Sequence, residues 1–123
     1  MMNQSIKSNG FSLVEVLVAL VILSIALLAL AGLMVYATKS NSFAGHMTEA
    51  TTFAQDKLEE LRARSWVNMT PGSDSTKMST GLDFSRAWSV TTNADGTLRT
   101  VTITVNWNDG VSRSITFLSA IAQ

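Results

Sequence analysis

Glu15 has the most unusual setting of any residue in this chain. It heads residues 16–38, a run of 23 positions without a formal charge. A carboxylate inside such a run costs on the order of 2.5–3.5 kcal/mol near a bilayer centre and less toward the edge. It persists there when a cation pairs with it. The other candidates for chemistry have simpler explanations. Glu59 and Glu60 could form an acid–base pair, but adjacent residues on a helix point apart, so a solvated face accounts for them. His46 is the single histidine, which excludes a multi-histidine metal site; beside Gly45 it reads as a helix-surface residue rather than a ligand or pH switch. Asp95 and Asp109 each precede a glycine, where Asp-Gly has a backbone reason, and no calcium-loop spacing surrounds them. Trp88 and Trp107 read as core rather than as a stacking platform for a ligand. Asn68-Met69-Thr70 fits a glycosylation sequon and is read as chance. No Ser/His/Asp group, phosphate loop or metal spacing is found, so no catalytic, cofactor-binding or metal residues are expected and the enzyme reading is weak.

What positions Glu15 is the apolar run itself. Hydrophobic residues make up 46% of the 123 and charged ones 15%, and the excess is concentrated in residues 16–38. As a helix this run is about 34 Å long, enough to cross a hydrocarbon core of about 30 Å. Nine basic residues balance nine acidic ones with no run of either sign, so no nucleic-acid surface is expected. With no cysteine, disulfide and thiolate chemistry are excluded.

Three readings compete for residues 1–38. One is a plain membrane anchor. Another is a secretory signal with Lys7 as its basic part, cut after Ala29-Leu30-Ala31 to release a soluble periplasmic binding domain. Neither gives Glu15 a purpose. The third starts from Lys7-Ser8-Asn9-Gly10-Phe11-Ser12-Leu13-Val14-Glu15-Val16, which closely resembles the class III prepilin signature of type IV pilin-like proteins. The resemblance implies cleavage between Gly10 and Phe11 by a prepilin peptidase, N-methylation of Phe11, and a helix left in the inner membrane with its head in the periplasm. It also implies that Glu15 pairs with the new N-terminus of a neighbouring subunit when subunits assemble into a pilus or pseudopilus at the cell surface. Within one subunit the Phe11 amine and Glu15 would lie about 6 Å apart along the axis.

The helical pattern continues past the apolar run. Met47, Ala50, Phe53, Ala54, Leu58 and Leu61 recur at steps of three and four, while Glu49, Asp56, Glu59, Glu60 and Arg62 take the other face. One helix is therefore expected over about residues 11–64, with Glu60 and Arg64 as an i,i+4 pair. Gly32 and Gly45 weaken it by up to about 1 kcal/mol each; Gly32 serves either bending or close helix packing.

Residues 66–86, around Pro71-Gly72, read as loop. From Arg86 onward the period becomes two: Trp88 and Val90, then Val101, Ile103, Val105 and Trp107, then Ile115 and Phe117. A two-residue Asp95-Gly96 turn pairs Val90 with Val101 and Trp88 with Ile103. A three-residue loop of Asn108-Asp109-Gly110, with Gly110 left-handed, pairs Trp107 with Val111 and Ile103 with Ile115. The apolar side of this meander must cover Phe53, Leu58, Leu61 and Trp66. The expected fold is α+β: a long N-terminal helix packed against a three- to four-stranded antiparallel sheet. Its divisions are a leader at 1–10, a transmembrane or filament-core half-helix at 11–38, an amphipathic half at 39–66 and a β-rich head at 67–123.

Residues 54–63, 101–110 and 114–119 also resemble minor pilins of the pilus-modification (PilV) type. The function implied is a minor type IV pilin that primes or modifies pilus assembly, with other pilins, the prepilin peptidase/methyltransferase and the inner membrane as partners and no cofactor. A minor pseudopilin of type II secretion shares the same signature and remains the alternative.

Overall fold

The computed structural model describes residues 9–123. Most of the expected leader, Lys7 included, lies outside the described residues. The chain divides after Asn41 into two compact units, and helix α1 (Leu13–Ala63) contributes to both.

Helix α1 begins where Ser12 can cap it. The Ser12 hydroxyl accepts the Glu15 backbone N–H at 3.2 Å and the Ser12 carbonyl accepts from Val16, relieving donors that have no partner inside the helix. Up to Asn41 its side chains are exposed, with apolar residues on every face: Val14, Leu17, Val21, Leu28, Leu33 and Tyr36 among them. Two hydroxyls in this stretch bond back within the helix: Ser24 donates to the Leu20 carbonyl at 2.7 Å and Thr38 to that of Met34 at 2.9 Å. The helix is unbroken through Gly32 and Gly45.

In the second unit, from Ser42 onward, the three- and four-residue spacing becomes a buried face of Ala50, Phe53, Ala54 and Leu61, with Met47 and Leu58 half-buried. Four antiparallel strands follow in sequential order: β1 (Gly72–Lys77), β2 (Asp83–Thr92), β3 (Leu98–Asn108) and β4 (Ser112–Ala122). Phe84, Val101, Ile103, Val105 and Trp107 form the sheet's side of the core, with Ile115, Phe117 and Ile121 packed against it. The α+β arrangement is therefore as expected.

Four details differ from the sequence expectation. Residues 66–86 are not all loop: a short 3-10 turn at Trp66–Asn68 precedes β1, and β2 begins at Asp83 rather than Arg86. β1 was invisible because Gly-Ser-Asp-Ser-Thr-Lys has no apolar alternation; it is an edge strand held by its backbone ladder. The β2–β3 register is the expected one, with Val90 opposite Val101 and Trp88 opposite Ile103. Its turn is longer, however. Asn93 donates to Leu98 and accepts from Gly96, and of the central pair only Gly96 has positive φ, so a two-residue turn with both residues left-handed is ruled out. The β3–β4 pairing is shifted by two residues: Trp107 faces Arg113 and Ile103 faces Phe117. The loop does have three residues and Gly110 does take positive φ, at 99°, but the loop is 109–111. Asn108 stays in the ladder opposite Ser112, and its side-chain oxygen accepts the Gly110 N–H at 2.9 Å. A shift of two keeps every side chain on its own face, so alternation could not detect it. Finally, Trp66 is half-buried and outside the core cluster; Arg99 lies over its ring, 4.8 Å from the centroid.

Candidate functional site

The start of α1 is built by local geometry alone. Phe11 precedes the helix and is 84% exposed. Glu15 lies in the first helical turn, where a carboxylate interacts favourably with the helix dipole. Phe11, Glu15, Ala19 and Leu23 recur every four residues, and with Val16 and Leu20 they line one shallow apolar groove along the helix. Among the described residues no basic side chain lies within ion-pair distance of the Glu15 carboxylate, so this face offers an anion surrounded by exposed hydrocarbon.

The second unit holds charged constellations of a different kind. Lys57 and Arg86 both point inward, each side chain 8% exposed. Arg86 donates through Nε to Asp74 Oδ1 at 2.7 Å, through Nη2 to Asp74 Oδ2 and through Nη1 to the Phe53 carbonyl, and its guanidinium lies 3.8 Å from the Phe53 ring centroid. Lys57 pairs with Glu60, reaches Asp74 at 3.6 Å and sits over Trp88 at 4.3 Å. The hydrogen bond from Arg86 holds the Asp74 carboxyl below the usual range, outweighing its partial burial, and the Arg86 and Lys57 charges add to this. These residues join α1, β1 and β2 as a structural network. Sequence reasoning passed over it, although two signals were present. Lys57 occupies a buried-face position between Ala54 and Leu61, and Arg86 occupies an inward position between Phe84 and Trp88.

The residues set aside earlier also acquire places. His46 is not a bare surface residue: its ring Nδ1 lies 3.5 Å from Asp109 Oδ2, and Arg113 donates to the same carboxylate at 3.2 Å. Glu60 pairs with Arg64, as the i,i+4 spacing predicts, while Glu59 is exposed. Glu49 accepts the Ser79 and Thr80 hydroxyls and the Thr80 N–H. Burial pushes its carboxyl up, but those hydrogen bonds outweigh the burial and hold it below the ordinary glutamate range. Trp107 is core, stacked on Phe84 at 5.6 Å, and Trp88 is half-buried with its indole N–H on the Thr70 carbonyl at 2.9 Å. Among the described residues, no group of three or more His, Cys, Asp or Glu is placed to hold a metal ion.

Comparison with known families bears on the start of the chain. Residues 6–31 match the family described as the prokaryotic N-terminal methylation motif. At its N-terminus the chain is similar to that family. The match spans about a fifth of the chain and includes Gly10, Phe11 and Glu15. No curated protein and no solved structure matches the chain. The motif supports a type IV pilin-like or pseudopilin protein, a structural subunit rather than an enzyme, and it fits the apolar first half of α1 as a membrane anchor. It further suggests processing by a prepilin peptidase and assembly with other pilins.

Proposed function

We propose that this chain is a minor type IV pilin that enters the inner membrane through its N-terminal helix and primes or modifies pilus assembly. The observation that carries the reading is the methylation motif matched at residues 6–31, which runs into a helix that starts at Leu13 and is exposed and apolar on every face up to Thr38. In this reading residues 1–10 are a leader removed between Gly10 and Phe11, and Phe11 is N-methylated. Residues 11–38 form the membrane or filament-core half of the helix, 39–66 its amphipathic half, and 67–123 a head that faces the periplasm before assembly and the cell surface afterwards.

Glu15 supplies the assembly chemistry. Cleavage turns the Phe11 nitrogen into an ammonium at the helix start. In a packed filament core the ammonium of one subunit pairs with the Glu15 carboxylate of the next, offsetting the cost of leaving either charge alone among apolar side chains. The groove of Val16, Ala19, Leu20 and Leu23 beside Glu15 takes the apolar surface of that neighbour. The resemblance of residues 54–63, 101–110 and 114–119 to pilus-modification pilins, less specific than that of the N-terminal motif, favours a pilus over a secretion pseudopilus. The experiment is a deletion strain complemented by an epitope-tagged copy and scored for surface filaments and for exoprotein release. The proposal expects filaments to be lost or altered, exoprotein release to be normal, and the tagged chain to appear in the sheared filament fraction. Loss of exoprotein release with normal filaments would instead assign the chain to type II secretion.

A further inference from the structure

β1 is held to the rest of its unit in an unusual way. Its six residues, Gly72–Lys77, include no apolar side chain, and Asp74 alone among them is not fully exposed. It is an edge strand, paired only with β2. Both flanks are anchored: Met69 is buried on one side, and on the other Met78 packs on the core while Ser79 and Thr80 are bound by Glu49. Between these anchors, among the described residues, Asp74 is the only β1 side chain bonded to helix α1 or to an inward-facing group of β2. Besides the backbone ladder to β2, the remaining side-chain tie, Lys77 to Asp83 at 4.0 Å, is solvent-exposed and worth little.

The burial of the partners is asymmetric. The cations Lys57 and Arg86 are 8% exposed, whereas the carboxylates of Asp74 and Glu60 are 37% and 43% exposed. The cations belong to the core of the unit and the anion arrives with the strand. The groups facing Asp74 are Arg86 from β2 and Lys57 from α1; Lys57 also pairs with Glu60, which in turn pairs with Arg64. We infer that β1 is a strap latched by one carboxylate: with Asp74 ionised it lies against β2, and with Asp74 neutral its middle lifts away, baring the β2 edge together with Arg86 and Lys57. Local opening of this kind draws on segments with few buried apolar contacts, and the latch is a pair of charge-assisted bonds on a guanidinium, the strong kind. The carboxyl sits below its usual range in the folded state, so the latch is present above the ordinary aspartate range and is lost as pH falls through the depressed value.

Hydrogen exchange on the full-length protein in detergent micelles tests this, comparing the amides of 72–77 with those of 98–108. In Asp74→Asn the β1 amides should exchange about 10- to 100-fold faster than in the wild type, the span expected from losing a hydrogen bond to a charged group, while β3 is unchanged. After correction for intrinsic exchange chemistry, the difference between wild type and variant should close as pH is lowered. The wild-type arm alone, with β1 losing protection ahead of β3 on acidification, is decisive should the variant fold poorly. Unchanged β1 exchange, a rise shared equally by β1 and β3, or a difference independent of pH would each overturn the latch.

Discussion

Phe84→Ala should cost the second unit much of its stability. Phe84 is fully buried, packed in the core cluster and stacked on Trp107 with ring centroids 5.6 Å apart. Truncating a buried phenylalanine to alanine removes its transfer free energy and leaves a cavity, together about 3–5 kcal/mol. The unit from Ser42 to Gln123 has 82 residues, and at typical values such a unit has a stability of roughly 4–12 kcal/mol. The substitution therefore takes from a quarter to all of it. With about 4–8 °C of Tm for each kcal/mol in a domain of this size, the melting midpoint should fall by roughly 12 °C or more. Tryptophan fluorescence is the right probe, because Trp66, Trp88 and Trp107, the only three, all lie in this unit. Leu118→Ala is the control: at 72% exposure it should change stability by no more than about 0.5 kcal/mol. A shift below about 4 °C for Phe84→Ala, equivalent to about 1 kcal/mol, would refute the packing described for β2 and β3.

Three other outcomes are expected. Glu15→Ala should leave membrane insertion intact and reduce incorporation into filaments at least tenfold by immunoblot of the sheared fraction; normal incorporation removes the assembly role. Gly72→Ala would place a Cβ 2.7 Å from the Trp88 ring, so an overpacking loss of about 1–3 kcal/mol in denaturant melts is expected, and a neutral result means the strand gives way there. The Glu49 carboxyl is depressed in the folded state, so its contribution is present above the ordinary glutamate range and lost as pH falls through the depressed value. Glu49→Gln should accordingly lower stability near neutral pH and flatten its acid limb in pH-dependent melts, and an unchanged acid limb would contradict the clamp on Ser79 and Thr80.

How much of this was legible in the chain depended on whether the signal was local. Helix α1 follows from an unbroken apolar run joined to three- and four-residue spacing, both contained in neighbouring residues. The β2–β3 register survived a wrong turn description because lengthening the loop symmetrically about Asp95-Gly96 leaves the pairs unchanged. The β3–β4 register did not, since alternation fixes which face Ile103 and Phe117 take but not which of two same-face partners they meet; the Asn108 side chain decides that. β1 carries no apolar period at all, and Phe84 was hidden beside it in a stretch whose composition says loop. The groups at Gly10, Phe11 and Glu15 form a motif within six residues and could be read directly. Lys57, Asp74 and Arg86 come from three elements, and only the folded chain brings them together.

In the proposed function, Glu15 is tolerated in apolar surroundings because a processed N-terminus supplies its counter-charge. The most direct measurement is N-terminal sequencing with intact mass of the mature chain, produced in cells that contain a prepilin peptidase. The expected product is a polypeptide starting at Phe11 and bearing one methyl group on its nitrogen. A mature chain that starts at Gly32, or that retains residues 1–10, contradicts it.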